Sequence, residues 1–288
     1  MLDNERPFRS VLYIPASNER ALDKALSLPA DAIIFDLEDA VAPGEKTAAR
    51  DILHRALQKG DYGPRYRIVR VNGLDTPWGV EDVRAIGEMM PDAVLIPKVN
   101  GPREIDRVLA LGAGVPIWAM METAAGILNA ASIAAHEGLA GMVMGTNDLA
   151  KDLGCRDRAD RLPLQTSLQT TLLAAKAYSR VCVDGVFNAF RDDEGLRVEC
   201  EQGRDLGFDG KTLIHPLQLA TANAVFAPDA ASLDMARRQI EAFDKAEAQG
   251  QGVAVLDGKI VENLHVETAR SLLAKADAIA ARDASLQG

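Results

Sequence analysis

The sequence predicts an α/β protein built as a (β/α)8 TIM barrel with a C-terminal helical extension, and three observations lead there. Short apolar, β-rich runs alternate with helix-like runs. There are eight such pairs, and no Pro/Gly/Ser linker or low-complexity stretch divides them. The apolar runs are continuous rather than alternating, as strands covered on both faces of a parallel sheet must be. SVLYIP (10–15) leads into NERALDKALSL, and DAIIFDLE (31–38) into EKTAARDILHRALQKG. RYRIVRVN (65–72) is followed by PWGVEDVRAIGEMM, and DAVLIPKV (92–99) by PREIDRVLALG. VPIWAMME (115–122), GMVMGT (141–146), VCVDGVFN (181–188) and GKTLIHP (210–216) continue the series. Eight units are the number that closes a barrel, with a doubly wound open sheet as the rival use of the same alternation. Residues 1–226 are thus expected to form a catalytic barrel domain.

Beyond residue 226 the rhythm breaks. SLDMARRQIEAFDKAEAQG reads as a polar helix, and VAVLDGKIVE as a short hairpin turning at Asp257-Gly258. NLHVETARSLLAKADAIAARDA reads as a closing helix whose Val266, Ala269, Leu272, Leu273 and Ala276 form an apolar face. This helix–hairpin–helix extension, 227–288, needs a surface to cover that face, either its own barrel or a neighbouring subunit of a homo-oligomer.

Composition narrows the function. The 288 residues are 48% hydrophobic, enough for a sizeable core, and carry a net charge of −10. Such a balance argues against nucleic acid or an anionic membrane as partner, since both need concentrated Lys and Arg. Any small anionic ligand must be held by a few placed cations. Cys155, Cys182 and Cys200 are odd in number and widely spaced, which suits neither a disulfide framework nor a zinc site. No apolar stretch reaches the roughly 20 residues of a membrane span, and MLDNERPFRS lacks the apolar core of a signal peptide, so a reducing cytoplasm is the expected location.

Active sites of such barrels sit at the C-terminal ends of the strands. The second run ends in three acids, Asp36, Glu38 and Asp39; the others end in Arg70 and Asn72, Lys98, Glu122, Thr146 to Asp148, Asp184 and Asn188, and His215. Several carboxylates round one mouth repel each other unless a cation or a proton is shared. Glu122 and Asp148 offer hard oxygen ligands and no His/Cys pair has zinc-like spacing, which favours Mg2+, with Mn2+ as an alternative. His215, beside a proline, is either structural or a ligand. Arg70, isolated among apolar neighbours, needs an anionic partner, either a resident acid or a substrate carboxylate or enolate. After Glu122, the small Ala124, Ala125 and Gly126 would let a carboxylate approach the amides of a helix start.

In this order, the stretches RSVLYIPASN, DLEDAVAPGEKTAAR, VRVNGLDTPWGVEDV, IPKV, ETAAGI, GTNDLAKDLG, VDGVFNAFRDDEG, GKTLIHPLQLATANAVFAP and LDGKIVE resemble the citrate lyase β-subunit and malyl-CoA lyase family of the HpcH/HpaI aldolase superfamily over nearly the whole chain. The resemblance implies a Mg2+-dependent carbon–carbon lyase that cleaves, or forms, a 3-hydroxyacyl-CoA such as malyl-CoA or citramalyl-CoA, with a 2-oxo acid and an acyl-CoA as the other species. Thioesterase action on the same ester, a CoA-independent hydroxy-acid aldolase and a subunit of a larger citrate lyase complex are the alternatives. It further implies metal ligation by Glu122 and Asp148, substrate and enolate contact by Arg70, ordering of metal-bound water by Glu38 and Asp39, a CoA contact at Arg9, and a trimer or hexamer. The family's acid/base aspartate, reached from a neighbouring subunit, is replaced here by Glu262 in GKIVE. Either Glu262 takes over that role in an adjusted loop or it is merely solvated.

Overall fold

The computed structural model describes residues 6–286, which divide into two compact units, one of Phe8–Phe226 and one of Arg6, Pro7 and the chain from Ala227 onward. In the first, eight parallel strands pair in chain order: β1 (Ser10–Pro15), β2 (Ala32–Asp36), β3 (Tyr66–Arg70), β4 (Ala93–Ile96), β5 (Ile117–Met121), β6 (Leu139–Met144), β7 (Val181–Asp184) and β8 (Gly210–Leu213). β1 also pairs with β8, Ser10 opposite Lys211, so the sheet is a closed barrel rather than the open alternative. The connecting helices are α1 (Glu19–Ala25), α2 (Lys46–Lys59), α3 (Gly79–Met89), α4 (Pro102–Ala110), α5 (Ala124–Leu128), α6 (Ala130–Ala134), α7 (Thr146–Leu153), α8 (Gln165–Ala177), α9 (Asp193–Leu206) and α10 (Leu219–Phe226).

Most strands stop short of the apolar runs that announced them: β2 ends at Asp36 rather than residue 38, and β4 at Ile96 rather than 99. The polar residues beyond those ends are therefore carried on loops or, for Thr146 to Asp148, on the first turn of α7. At the other end the barrel is plugged by aromatic packing. Phe8, Tyr66 and Trp118 lie within two residues of strand starts, and the Phe8 and Tyr66 rings stand 5.2 and 6.1 Å from that of Trp118. Gly141 makes room for the indole, since a Cβ there would lie 2.4 Å from the ring.

In the second unit, α11 (Ala230–Glu247) and α12 (Asn263–Ser285) flank an antiparallel hairpin of β9 (Ala254–Leu256) and β10 (Lys259–Val261). Both turn residues, Asp257 and Gly258, have positive φ (51° and 77°), the conformation that Asp-Gly favours in a two-residue hairpin loop. Asp257 is fastened to Arg238 of α11 by two bonds of 2.7 and 2.8 Å. One hairpin face, Ala254 and Val261, packs with Ala246 and Val266; the other presents the cross-strand pair Val255 and Ile260 to solvent. No helix among the described residues is long and apolar enough to cross a membrane.

Candidate active site

The loop after β2 is folded by its own side chains. Asp36 accepts the backbone N–H groups of Glu38 (2.8 Å) and Ala40 (3.0 Å), which turns the chain out of the strand. Lys46, buried, donates to the carbonyls of Leu37 and Glu38, and Asn72 donates to that of Leu37. Asp36 also lies in register with Arg70 on β3, and the two form a forked pair: Nε to Oδ1 at 2.7 Å and Nη2 to Oδ2 at 2.6 Å. Nη1 reaches Asp39 at 3.3 Å and stands 2.8 Å from Glu38 Oε2, an ion-pair distance without hydrogen-bond alignment. Of the two partners open to Arg70 on sequence grounds, the resident acids hold it here. Tyr13 stacks its ring 5.0 Å from the guanidinium. Burial would lower the Arg70 pKa, but the charges of Asp36 and Glu38 outweigh it and hold it raised.

Burial pushes the Glu38 carboxyl up to about 7, against the pull of Arg70 and with help from Asp39. Burial raises Glu122 to about 7 as well, opposed by an N–H bond from Lys98, 2.7 Å from Oε1. Lys98 adopts a left-handed backbone (φ 50°), unusual for a side-chain-bearing residue, and its ammonium stands 3.7 Å from Glu38 Oε1. Gly145 fits close beside Glu122, where a Cβ would lie 2.5 Å from Oε2. Glu122 and Asp148 line one cavity of about 350 Å3 with Tyr13, Asp36, Asp39 and Arg70, while Met120, Met144, Val186 and Ile214 supply apolar walls.

No group of three or more His, Cys, Asp or Glu is arranged to hold a metal among the described residues. The pair nevertheless fits a hard divalent cation, which takes one or two carboxylates and fills its other positions with water and substrate oxygens. Lys98 occupies one oxygen of Glu122 and leaves the other, and a buried carboxyl pushed toward neutrality is one that a cation would hold ionised.

Two of the expected ligand contacts meet partners within the protein. Ala124 gives its amide to Asp152 (2.7 Å) and Gly126 gives its own to Thr123 (3.0 Å), so those donors are satisfied from within; Ala125 lies exposed on the same turn. Gly126 is required by packing, since a Cβ there would lie 2.3 Å from the Val99 carbonyl. Arg9 stands just before β1, at the end of the barrel opposite the mouth. It is 4% exposed and bound through backbone N–H, Nε and Nη2 to Asp31 (2.7, 2.9 and 2.9 Å), a buried ion pair. His215 caps the turn after β8 by accepting the Leu217 N–H (3.2 Å) and stacks on Phe190, which is the structural role. Glu262 belongs to the second unit, exposed at the start of α12, where its N–H donates to His265 Nδ1 (3.0 Å). Tyr13, which lines the cavity, is a residue that sequence reasoning did not single out, whereas Asp36 and Lys98 were placed at strand ends without a role.

A family model described as HpcH/HpaI aldolase/citrate lyase matches residues 9–216. A (3S)-malyl-CoA thioesterase of Cereibacter sphaeroides strain KD131 is 64% identical over 285 residues, 99% of this chain and 100% of the relative. The citrate lyase subunit beta of Escherichia coli K12 is 35% identical, with 94% of each chain covered. Among solved structures, protein CitE from Mycobacterium tuberculosis in complex with magnesium, acetoacetate and coenzyme A superimposes with a TM-score of 0.81 at 30% identity, covering 95% of this chain and 99% of that one.

Proposed function

The chain belongs to the HpcH/HpaI aldolase/citrate lyase family of enzymes, and from that premise we propose that it hydrolyses the thioester of a 3-hydroxy dicarboxylic acyl-CoA of the malyl type. What carries hydrolysis over carbon–carbon cleavage is the match, along nearly its full length, to relatives named (3S)-malyl-CoA thioesterase. The lyase expected from sequence gives way here to its own alternative.

Glu122 and Asp148 are the residues that would hold Mg2+, which when bound supplies Lewis-acid polarisation of substrate oxygens. Glu38, whose carboxyl burial holds near 7 and whose Oε1 faces the Lys98 ammonium at 3.7 Å, would take a proton from the attacking water through that oxygen. As the water oxygen bonds to the acyl carbon the carbon–sulfur bond breaks, and the proton passes on to the departing thiolate. The products are the free hydroxy acid and CoA as its thiol. Arg70, locked by Asp36, keeps a fixed positive charge facing the cavity where negative charge gathers on the carbonyl oxygen. In this reading the second unit covers the mouth of a neighbouring copy in a homo-oligomer, a trimer or hexamer; Val255, Ile260 and Leu264, all exposed, form the face that would dock, and Glu262 lies between them in sequence.

The test is to supply pure protein and Mg2+ with malyl-CoA and to follow free thiol and 2-oxo acid separately. Thiol released together with malate, and no 2-oxo acid, is the expected result. Stoichiometric 2-oxo acid with acyl-CoA would instead establish the lyase reading, which the likeness to citrate lyase subunit beta favours. No turnover without an acyl-carrier partner would point to an assembly subunit.

A further inference from the structure

The anion receptor of this mouth is not the cation that the sequence singles out. Arg70 commits Nε, Nη1 and Nη2 to Asp36 and Asp39, with Glu38 beside them. Lys46 is buried and spent on two carbonyls. Lys211, at the base of β8, is fully buried against Asp184, Glu199 and the Gly185 carbonyl. Lys98 is different. Its side chain is 56% exposed, and the partner it has among the described residues is Glu38 at 3.7 Å, too long for a hydrogen bond. An ammonium carries three donors, so this one can take a carboxylate without breaking any bond that holds the site together.

The backbone supports the same assignment. Lys98 sits at φ 50°, a left-handed conformation that glycine would adopt without strain. Its N–H bond to Glu122 needs only the backbone, so it does not explain why a lysine occupies the strained position. The side chain does, if its charge is what is wanted beside Glu122.

We propose that the Lys98 ammonium receives the free carboxylate of the substrate and so sets a preference for dicarboxylic over monocarboxylic acyl thioesters. The identity of the thioester rests on the hydrolase reading above; the carboxylate contact does not, because it concerns binding rather than turnover. The task thus passes from Arg70, which organises the acids, to Lys98, which meets the ligand.

The experiment is calorimetric titration of Mg2+-loaded protein with succinamate, whose neutral amide stands in for the thioester and whose carboxylate is the free one, and with butyramide, which lacks that carboxylate. Lys98→Met keeps the N–H bond to Glu122 and removes the charge; Lys98→Gly also removes the side chain and relaxes the turn. Wild type should prefer succinamate, and both variants should lose roughly ten- to a hundredfold of that preference while binding butyramide nearly as before, the loss expected for one charge-assisted hydrogen bond. With thioesters, the KM ratio between 3-hydroxybutyryl-CoA and malyl-CoA should collapse by a similar factor. Unchanged preference in both variants would overturn the proposal, and so would an equal weakening of succinamate and butyramide, which would mean that Lys98 acts only through Glu122. If the chain proved to be a lyase, the thioester comparison would change its products while the titration kept its meaning.

Discussion

Replacing Arg70 by methionine tests whether the fork between β2 and β3 holds up the mouth of the barrel. Asp36 is 1% exposed and Arg70 7%, so removing the guanidinium strands a carboxylate that water cannot reach. Two charge-assisted bonds are lost, at 2.6 and 2.7 Å, each worth about 1.5–3 kcal/mol, which bounds the cost at roughly 3–6 kcal/mol. Breaking one side of a buried pair costs about 3–5 kcal/mol in general. Asp36 keeps its bonds from the Glu38 and Ala40 amides, so the lower part of that range applies, about 3 kcal/mol. The assay is urea unfolding of metal-free protein by tryptophan fluorescence, which reports on the barrel because Trp78 and Trp118 both lie in the first unit. A fall in midpoint at unchanged slope is expected. In Arg70→Met/Asp36→Asn the stranded charge is gone, so the double variant should recover much of the loss. A cost below about 1 kcal/mol for Arg70→Met, or single effects that add within about 0.5 kcal/mol, would refute the reasoning.

Stability of the metal-free protein should fall as pH rises from the ordinary carboxylate range to about 7, because the native state keeps protons on Glu38 and Glu122 that the unfolded chain has released. Chemical denaturation across that window measures the slope; Glu122→Gln should remove its share, and Mg2+ should bind more tightly as pH approaches 7. Glu122→Gln should also lose metal-dependent turnover with the barrel intact by circular dichroism, and wild-type Mg2+ affinity in this variant would refute its ligand role. Gly141→Ala should cost about 1–3 kcal/mol by overpacking against Trp118, read as a lower Tm. For the second unit, mixing Arg70→Ala with Glu262→Ala chains should restore part of the activity each lacks if Glu262 serves a neighbouring copy; verified mixed oligomers without recovery would place it in its own subunit.

The eight strands were legible because both faces of each are covered, which writes continuous apolar runs into the chain. Their ends were not, since Asp36 leaves β2 by bonding to amides two and four residues ahead, a local choice that hydrophobicity does not record. Strand-end position brought Glu122 and Asp148 to one cavity, as expected. The fork between Asp36 and Arg70 depends on register between two strands, and the capture of the Ala124 amide by Asp152 depends on packing of α5 against α7; neither can be read along one segment. The pairing of Arg9 with Asp31 was likewise not legible, because it joins the chain before β1 to the residue before β2.

The closing seam between β1 and β8 bears on how the protein is made. Ser10, Val11 and Leu12 meet Lys211, Thr212 and Leu213, so the first strand to leave the ribosome waits for the last before both its edges are paired. Until then a growing chain exposes unpaired strand edges that invite association with other chains. Contacts between residues so far apart in sequence are also the slow ones to form. Most of the second unit, from Ala227 onward, follows β8, so translating it gives the barrel an interval in which to shut while the chain is still tethered. A polypeptide halted after β7 would have no such remedy, because the strand that completes the ring would be missing.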